Sequence, residues 1–217
     1  MSNFEKEKLY SDGFSIDKTP FCDLKEEQPV IKSTPAKEFL EWLEILSVAI
    51  ICVILVFSFF FRVATISGNS MLNTLHNGDK VIITNLNYEP KQGDIVVVSR
   101  KIANSIEDGI QSQEPIIKRV IAVGGQTVDI DFEKGIVYVD GAPLKEDYLG
   151  SQTHKSGDVE FPIYVPKGHI FILGDNRADS LDSRFSIIGN GGIVDNRYVL
   201  GHAVYRFFPF DKIGALE

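Results

Sequence analysis

Residues 45–61, ILSVAIICVILVFSFFF, are seventeen consecutive uncharged and almost wholly apolar positions. As a helix rising 1.5 Å per residue they reach roughly 25 Å. Counting on to Ala64 while Arg62 snorkels brings the span to the ~30 Å of a bilayer's hydrocarbon core. No polar stripe interrupts the run, which sets it apart from a core helix. The 44 residues before it are acidic and too long for the short cationic start of a cleaved leader. The run therefore predicts a retained membrane anchor at 45–61 and divides the chain into a tail, 1–44, and a domain, 62–217. Lys32 and Lys37 before the span against Arg62 after it lean towards a cytoplasmic N-terminus.

The tail contains KEK, DLKEEQP and STPAKE with few large apolar residues, and reads as a solvated, disordered segment. Beyond the anchor come short runs rich in Val, Ile, Tyr and Phe: KVIIT, DIVVVSR, IIKRVIAV, QTVDID, GIVYVD, HIFILGD and VLGHAVYRFF. Between them stand glycines at Gly93, Gly124, Gly125, Gly141, Gly168 and Gly189–Gly192, and a polar loop at 101–115. This spacing predicts a mainly β, antiparallel domain with little helix, long enough for one core and too short for two.

Net charge is −8 and divides evenly, with 6 lysines against 10 acids up to residue 61 and 16 basic residues against 20 acids after it. No basic stripe offers itself to a phosphate backbone, so nucleic acid is excluded as a partner on electrostatic grounds. Cys22 lies in the tail and Cys52 in the anchor. The domain therefore has neither a disulfide nor a thiolate metal site, and no metal or cofactor is implied.

Three places could carry chemistry. GDNRADSLDSR, residues 174–184, crowds acids, arginines and hydroxyls behind an apolar strand; Asp175, Arg177, Asp182 and Arg184 could pair with one another and hold Ser180 and Ser183 on a rigid support. In TISGNSMLNTL, residues 65–75, Gly68 allows close approach of backbone to Ser70, although the G-x-S-x-G hydrolase elbow is missing. None of His76, His154, His169 and His202 stands in a triad setting. A different base is available in PIIKRVIAVGG, where alternation pushes either Lys118 or Arg119 towards an apolar face. Lowering a lysine from ~10.4 to ~8 takes roughly 3 kcal/mol of desolvation, within reach of a dry strand face. A neutral Lys118 can take a proton from a serine hydroxyl.

Taken in order, GNSM, LNTL, GDIVVV, KRVIAVGGQTV, GDNRADSLDSR and GHAVYRFFPFDKIG resemble the motifs of bacterial type I signal peptidases, over residues 62–213. The resemblance implies a β-rich catalytic domain on the outer face of the cytoplasmic membrane, held by one N-terminal transmembrane helix. It implies metal-free removal of signal peptides from secretory preproteins after small residues at −1 and −3. The expected partners are those preproteins, the lipid bilayer and the protein translocation machinery. By the same resemblance Ser70 is the nucleophile and a backbone oxyanion donor, Lys118 the general base, and Ser180 the residue that orients it. Asp175, Arg177, Asp182 and Arg184 fall at structural ion-pair positions, and the resemblance assigns no catalytic role to Arg119, the motif neighbour. Ile66, Gly68, Met71, Leu75, Ile116 and Ile117 fall at the substrate pocket.

Three departures stand out: Asn73 where many members have Pro, Gly68 where some have a Ser whose hydroxyl aids the oxyanion, and Gln126 in place of a common Asp. Two other readings compete, a non-catalytic membrane-tethered β domain and a self-cleaving Ser/Lys peptidase of the repressor kind. Phe207, Phe208 and Phe210 around Pro209 are placed either at the membrane interface or in the core.

Overall fold

The computed structural model describes residues 34–86, 88–99 and 115–216. The tail read for 1–33 and the loop read for 101–114 lie outside the described residues. Helix α1, Pro35–Phe60, has 26 residues and so measures roughly 39 Å. It starts ten residues before the apolar run, within the stretch assigned to the tail. The local reasons are in the sequence: the Thr34 carbonyl accepts from the N–H groups of Lys37 and Glu38, Pro35 begins the helix where no N–H is needed, and Lys37 and Glu41 stand one turn apart at 3.9 Å. From Phe39 to Phe57 its large apolar side chains are exposed, and 35–58 is long and apolar enough to cross a membrane.

Phe61 ends the apolar run but opens strand β1, Phe61–Thr65. The remaining strands are β2 Lys80–Thr84, β3 Ile95–Val98, β4 Ile116–Val123, β5 Thr127–Asp131, β6 Ile136–Val139, β7 Ala142–Pro143, β8 Ile163–Tyr164, β9 His169–Leu173, β10 Val194–Asp195, β11 Val199–Phe208 and β12 Gly214–Ala215. The fold is mainly β, and every pairing among the described residues is antiparallel. One sheet runs β1-β2-β11-β3-β4-β9-β10 with β12 added to β11; the other runs β7-β6-β5-β8.

Strand β4 positions the site. It lies between β3 and β9, and its residues 118–122 are all buried. One apolar cluster (Ile121, Val128, Val137, Phe171, Leu173) joins it to the small sheet, while Val96, Val120, Ile170 and Ile172 belong to another. A strand covered on both faces has no exposed side on which to leave a cation. Phe210, in a short 3-10 turn after β11, is 78% exposed and stacks edge-on against the half-exposed Phe208 at 5.5 Å, so neither ring is a core residue.

Candidate active site

Lys118 is 3% exposed, and its Nζ lies 2.7 Å from Ser70 Oγ and donates to the Ile117 carbonyl at 3.0 Å. Strand β4 supplies the lysine. The serine comes from a tight turn after β1, closed by Leu72 N–H to the Asn69 carbonyl and Leu75 N–H to the Met71 carbonyl. Met71 and Leu75 anchor this turn in the apolar cluster of Ile66, Val81, Ile95 and Ala203. A hydroxyl in contact with a buried amine is the arrangement nucleophilic catalysis without histidine requires.

Arg119 is buried as deeply, at 1% exposure. Its Nε and Nη2 donate to the two carboxylate oxygens of Asp175 at 2.9 and 2.8 Å, and Nη1 donates to the Gly93 carbonyl at 2.8 Å. The Thr74 hydroxyl donates to the same carboxylate at 2.5 Å, which ties the serine turn to the pair. The Tyr148 ring lies 3.9 Å from the Arg119 guanidinium. Burial, reinforced by the Glu146 carboxylate to which it donates, pushes the Tyr148 phenol well above its usual range.

The lattice predicted within 174–184 forms only in part. Arg184 and Asp182 pair bidentately at 2.8 and 2.9 Å. Asp175 instead takes Arg119 from β4, and Arg177 takes Glu146 and Thr153, because each lies against an element far away in sequence. Glu146, Thr153, Thr74 and Tyr148 carried no signal that singled them out. At the centre is Gly174, whose N–H donates to Asp182 and whose carbonyl accepts from Arg177. A Cβ on Gly174 would meet Ser180 Oγ at 2.2 Å and the Ser70 carbonyl oxygen at 2.5 Å, so only glycine lets this loop reach the serine. Ser180 is buried against Gly174, and its hydroxyl makes no hydrogen bond with any described residue. The bond to Lys118 expected of it is not formed, and the Ile117 carbonyl holds the amine.

Ser70 and Lys118 line a groove of about 610 Å³. Of the predicted pocket residues, Ile66, Ile116 and Ile117 line it. Met71 and Leu75 lie beneath as core, and Gly68 is exposed outside the lining. Further lining comes from β1 residues 62–65, Ser67, Ile83, Val97, Pro115 and Leu200, which the motifs did not single out. None of the four histidines lines it.

The family described as signal peptidase, peptidase S26, matches residues 39–208. The chain belongs to the signal peptidase family. A probable signal peptidase I-1 of Synechocystis is 34% identical over 84% of this chain and 89% of its own length; signal peptidase I of Bacillus licheniformis is 32% identical over 84% and 96%. A crystal structure of a signal peptidase I from Enterococcus faecalis, 28% identical, aligns over 53% of this chain and 97% of its own with a TM-score of 0.39.

As a signal peptidase family member the chain departs from the expected motifs at positions with local causes. Gly68 has φ +90°, where a serine would be strained, and its N–H donates to Asn77 Oδ1. Asn73 has φ +65°, which proline cannot adopt, and its amide fills the space over Gly150, where a Cβ would come within 2.0 Å of Nδ2. Left-handed residues thus frame the serine turn on both sides. Gln126 Oε1 accepts from Val123 N–H at 2.9 Å and closes the turn between β4 and β5. Restoring the common residue with Asn73→Pro is expected to destabilise this chain by more than about 1 kcal/mol, because its native φ is incompatible with the ring. Thermal melts in detergent check it; an unchanged or raised midpoint would show that the turn rebuilds at no cost.

Proposed function

We propose that this signal peptidase family member is a membrane-anchored serine endopeptidase. It removes N-terminal signal peptides from secretory preproteins, with Ser70 as nucleophile and Lys118 as general base. The observation that carries the reading is the 2.7 Å contact between the buried Lys118 amine and Ser70 Oγ at the wall of an open groove. Burial disfavours the charged ammonium, and a neutral amine has a lone pair for the Ser70 proton.

In the first step Ser70 Oγ bonds to the scissile carbonyl carbon while its proton passes to Lys118 Nζ. Collapse of the tetrahedral adduct breaks the C–N bond, and the leaving amine takes that proton. Water then attacks the acyl-enzyme, giving a proton to Lys118, and Ser70 leaves with it. The Ser70 N–H donates to no group among the described residues and is available to the developing oxyanion.

Substrate binds as an added strand. Among the described residues β1 ends its sheet, and Ile66 turns its N–H and carbonyl towards Asp79 and Gly78, so alternation directs those of Val63, Thr65 and Ser67 to the outer edge. Ile66, Ile116 and Ile117 then bound shallow apolar subsites that admit small side chains at −1 and −3. Helix α1 anchors the chain with its N-terminus cytoplasmic and the β region outside. Ser70 lies ten residues after Phe60, which keeps it near the bilayer in which the substrate is also held, and the exposed Phe208–Phe210 pair suits an interfacial contact. The preproteins reach it from the translocation machinery.

The test is to incubate the detergent-solubilised chain with a preprotein carrying Ala-X-Ala before the mature sequence and to read the new N-terminus by mass spectrometry. One cut after the second Ala, lost when that Ala is replaced by Leu, is expected. Cleavage indifferent to the −1 residue would overturn the specificity, and no cleavage would overturn the activity.

A further inference from the structure

Asn69 and Ser70 share one planar peptide, so the Asn69 carbonyl and the Ser70 N–H point in opposite directions and fixing one fixes the other. Two donors hold that carbonyl: Leu72 N–H within the turn at 3.1 Å, and Asn176 Nδ2 from the 174–184 loop at 3.0 Å. The main-chain N–H of Asn176 donates to the Ser70 carbonyl, also at 3.0 Å. Asn176 therefore grips both peptide units that flank the serine.

We infer that Asn176 is the positioning residue of the oxyanion site, aiming the Ser70 N–H into the groove by holding the Asn69 carbonyl behind it. The inference rests on the serine reading given above. Asn176 touches no reacting atom; it acts through the peptide it holds. Its own place is set from both sides, by Asp175 in the grip of Arg119 and by Arg177 in the grip of Glu146 and Thr153. The need for such a clamp is local. Gly68, two residues before the serine, has the backbone freedom to let the following peptides turn over, and it brings no hydroxyl to supplement the main-chain donor. Orientation of the single identified donor then depends on what holds its peptide from behind.

The experiment uses the full chain in detergent with three probes: a cleavable peptide, an Ala-ending peptide aldehyde, and the same peptide ending one residue earlier as its amide. The aldehyde forms a hemiacetal on Ser70: Oγ bonds to the aldehyde carbon, the carbonyl π pair moves to oxygen, and the hydroxyl proton goes to Lys118. It therefore reads the oxyanion site, whereas the shortened amide, which has no carbonyl at the reacting position, reads the groove alone. Asn176→Ala is expected to lower kcat and weaken the aldehyde by about 100-fold each, with KM and affinity for the shortened amide within about threefold of wild type. The pH midpoint of the reaction should not move. Asn176→Asp, which keeps the shape but turns a carboxylate oxygen towards the Asn69 oxygen, is expected to lose as much and serves should the Ala variant fail to fold.

Unchanged aldehyde affinity in the folded variants, or affinity for the shortened amide falling in step with kcat, overturns the clamp. Ser70→Ala separates the two ideas. If it binds the aldehyde as tightly as wild type, the serine reading falls and this inference with it. If it loses the aldehyde while the Asn176 variants keep it, only the clamp is wrong.

Discussion

Lys118→Met is expected to reduce peptide cleavage by at least about a thousandfold while leaving the fold intact, the upper range for removing a general base that also activates the nucleophile. Methionine has nearly the length of the lysine stem and no polar atom to bury. At a site only 3% exposed it should melt at or above the wild-type temperature, so lost activity cannot be ascribed to unfolding. Lys118→Arg keeps a cation that does not deprotonate and should be equally inactive. Ser70→Ala should match both, because the two residues act as a unit and removal of either leaves nothing for the other to do. For wild type, kcat/KM should rise with pH through one ionisation and be lost below it, since only the deprotonated amine accepts the proton. An active Lys118→Arg enzyme, or a flat profile from about pH 6 to 9, would remove lysine as the base.

What the sequence revealed was local, and what it concealed was long-range. Strands β4 and β11 were legible to the residue because apolar runs leave little choice of ends where Pro115 and Gly124 bound the one and Pro209 stops the other. Helix α1 was legible in kind but begins earlier, since Lys37, Glu38, Glu41 and Glu44 stop an apolar count without stopping a helix that Pro35 and Thr34 initiate. The alternation rule allotted one buried place to Lys118 and Arg119; it presumes one wet face, and β4 has none. The same blindness governed the ion pairs. Asp182 and Arg184 are two residues apart and could be paired on paper. Asp175 meets Arg119 across 56 positions and Arg177 meets Glu146 across 31, and no spacing rule connects them. The motif resemblance supplied the roles proposed for Ser70 and Lys118, which composition and alternation left among several open alternatives.

The Arg119–Asp175 pair should give the largest effect on stability. Both side chains are at most 2% exposed, the contact is bidentate, and Thr74 donates to the same carboxylate. Truncating the acid takes a bidentate carboxylate away from a guanidinium in a dry site. Asp175→Ala is therefore expected to cost about 3–5 kcal/mol, as for other buried pairs broken from one side. Against a total of roughly 5–15 kcal/mol that is enough to unfold a marginal domain. Replacing both members with apolar residues, Arg119→Met with Asp175→Leu, should recover most of the loss, because no charge is then left buried. Activity should not recover with it. Asp175 also receives the Thr74 hydroxyl and precedes Asn176, so without it the turn bearing Ser70 loses one tie and the clamp behind it loses its footing. Denaturant melts of the two single variants and the double, paired with cleavage rates, separate the two contributions. A double variant that is both stable and fully active would mean that the pair holds the fold without holding the site. A single Asp175→Ala variant that melts like wild type would mean that Arg119 finds another anion as good.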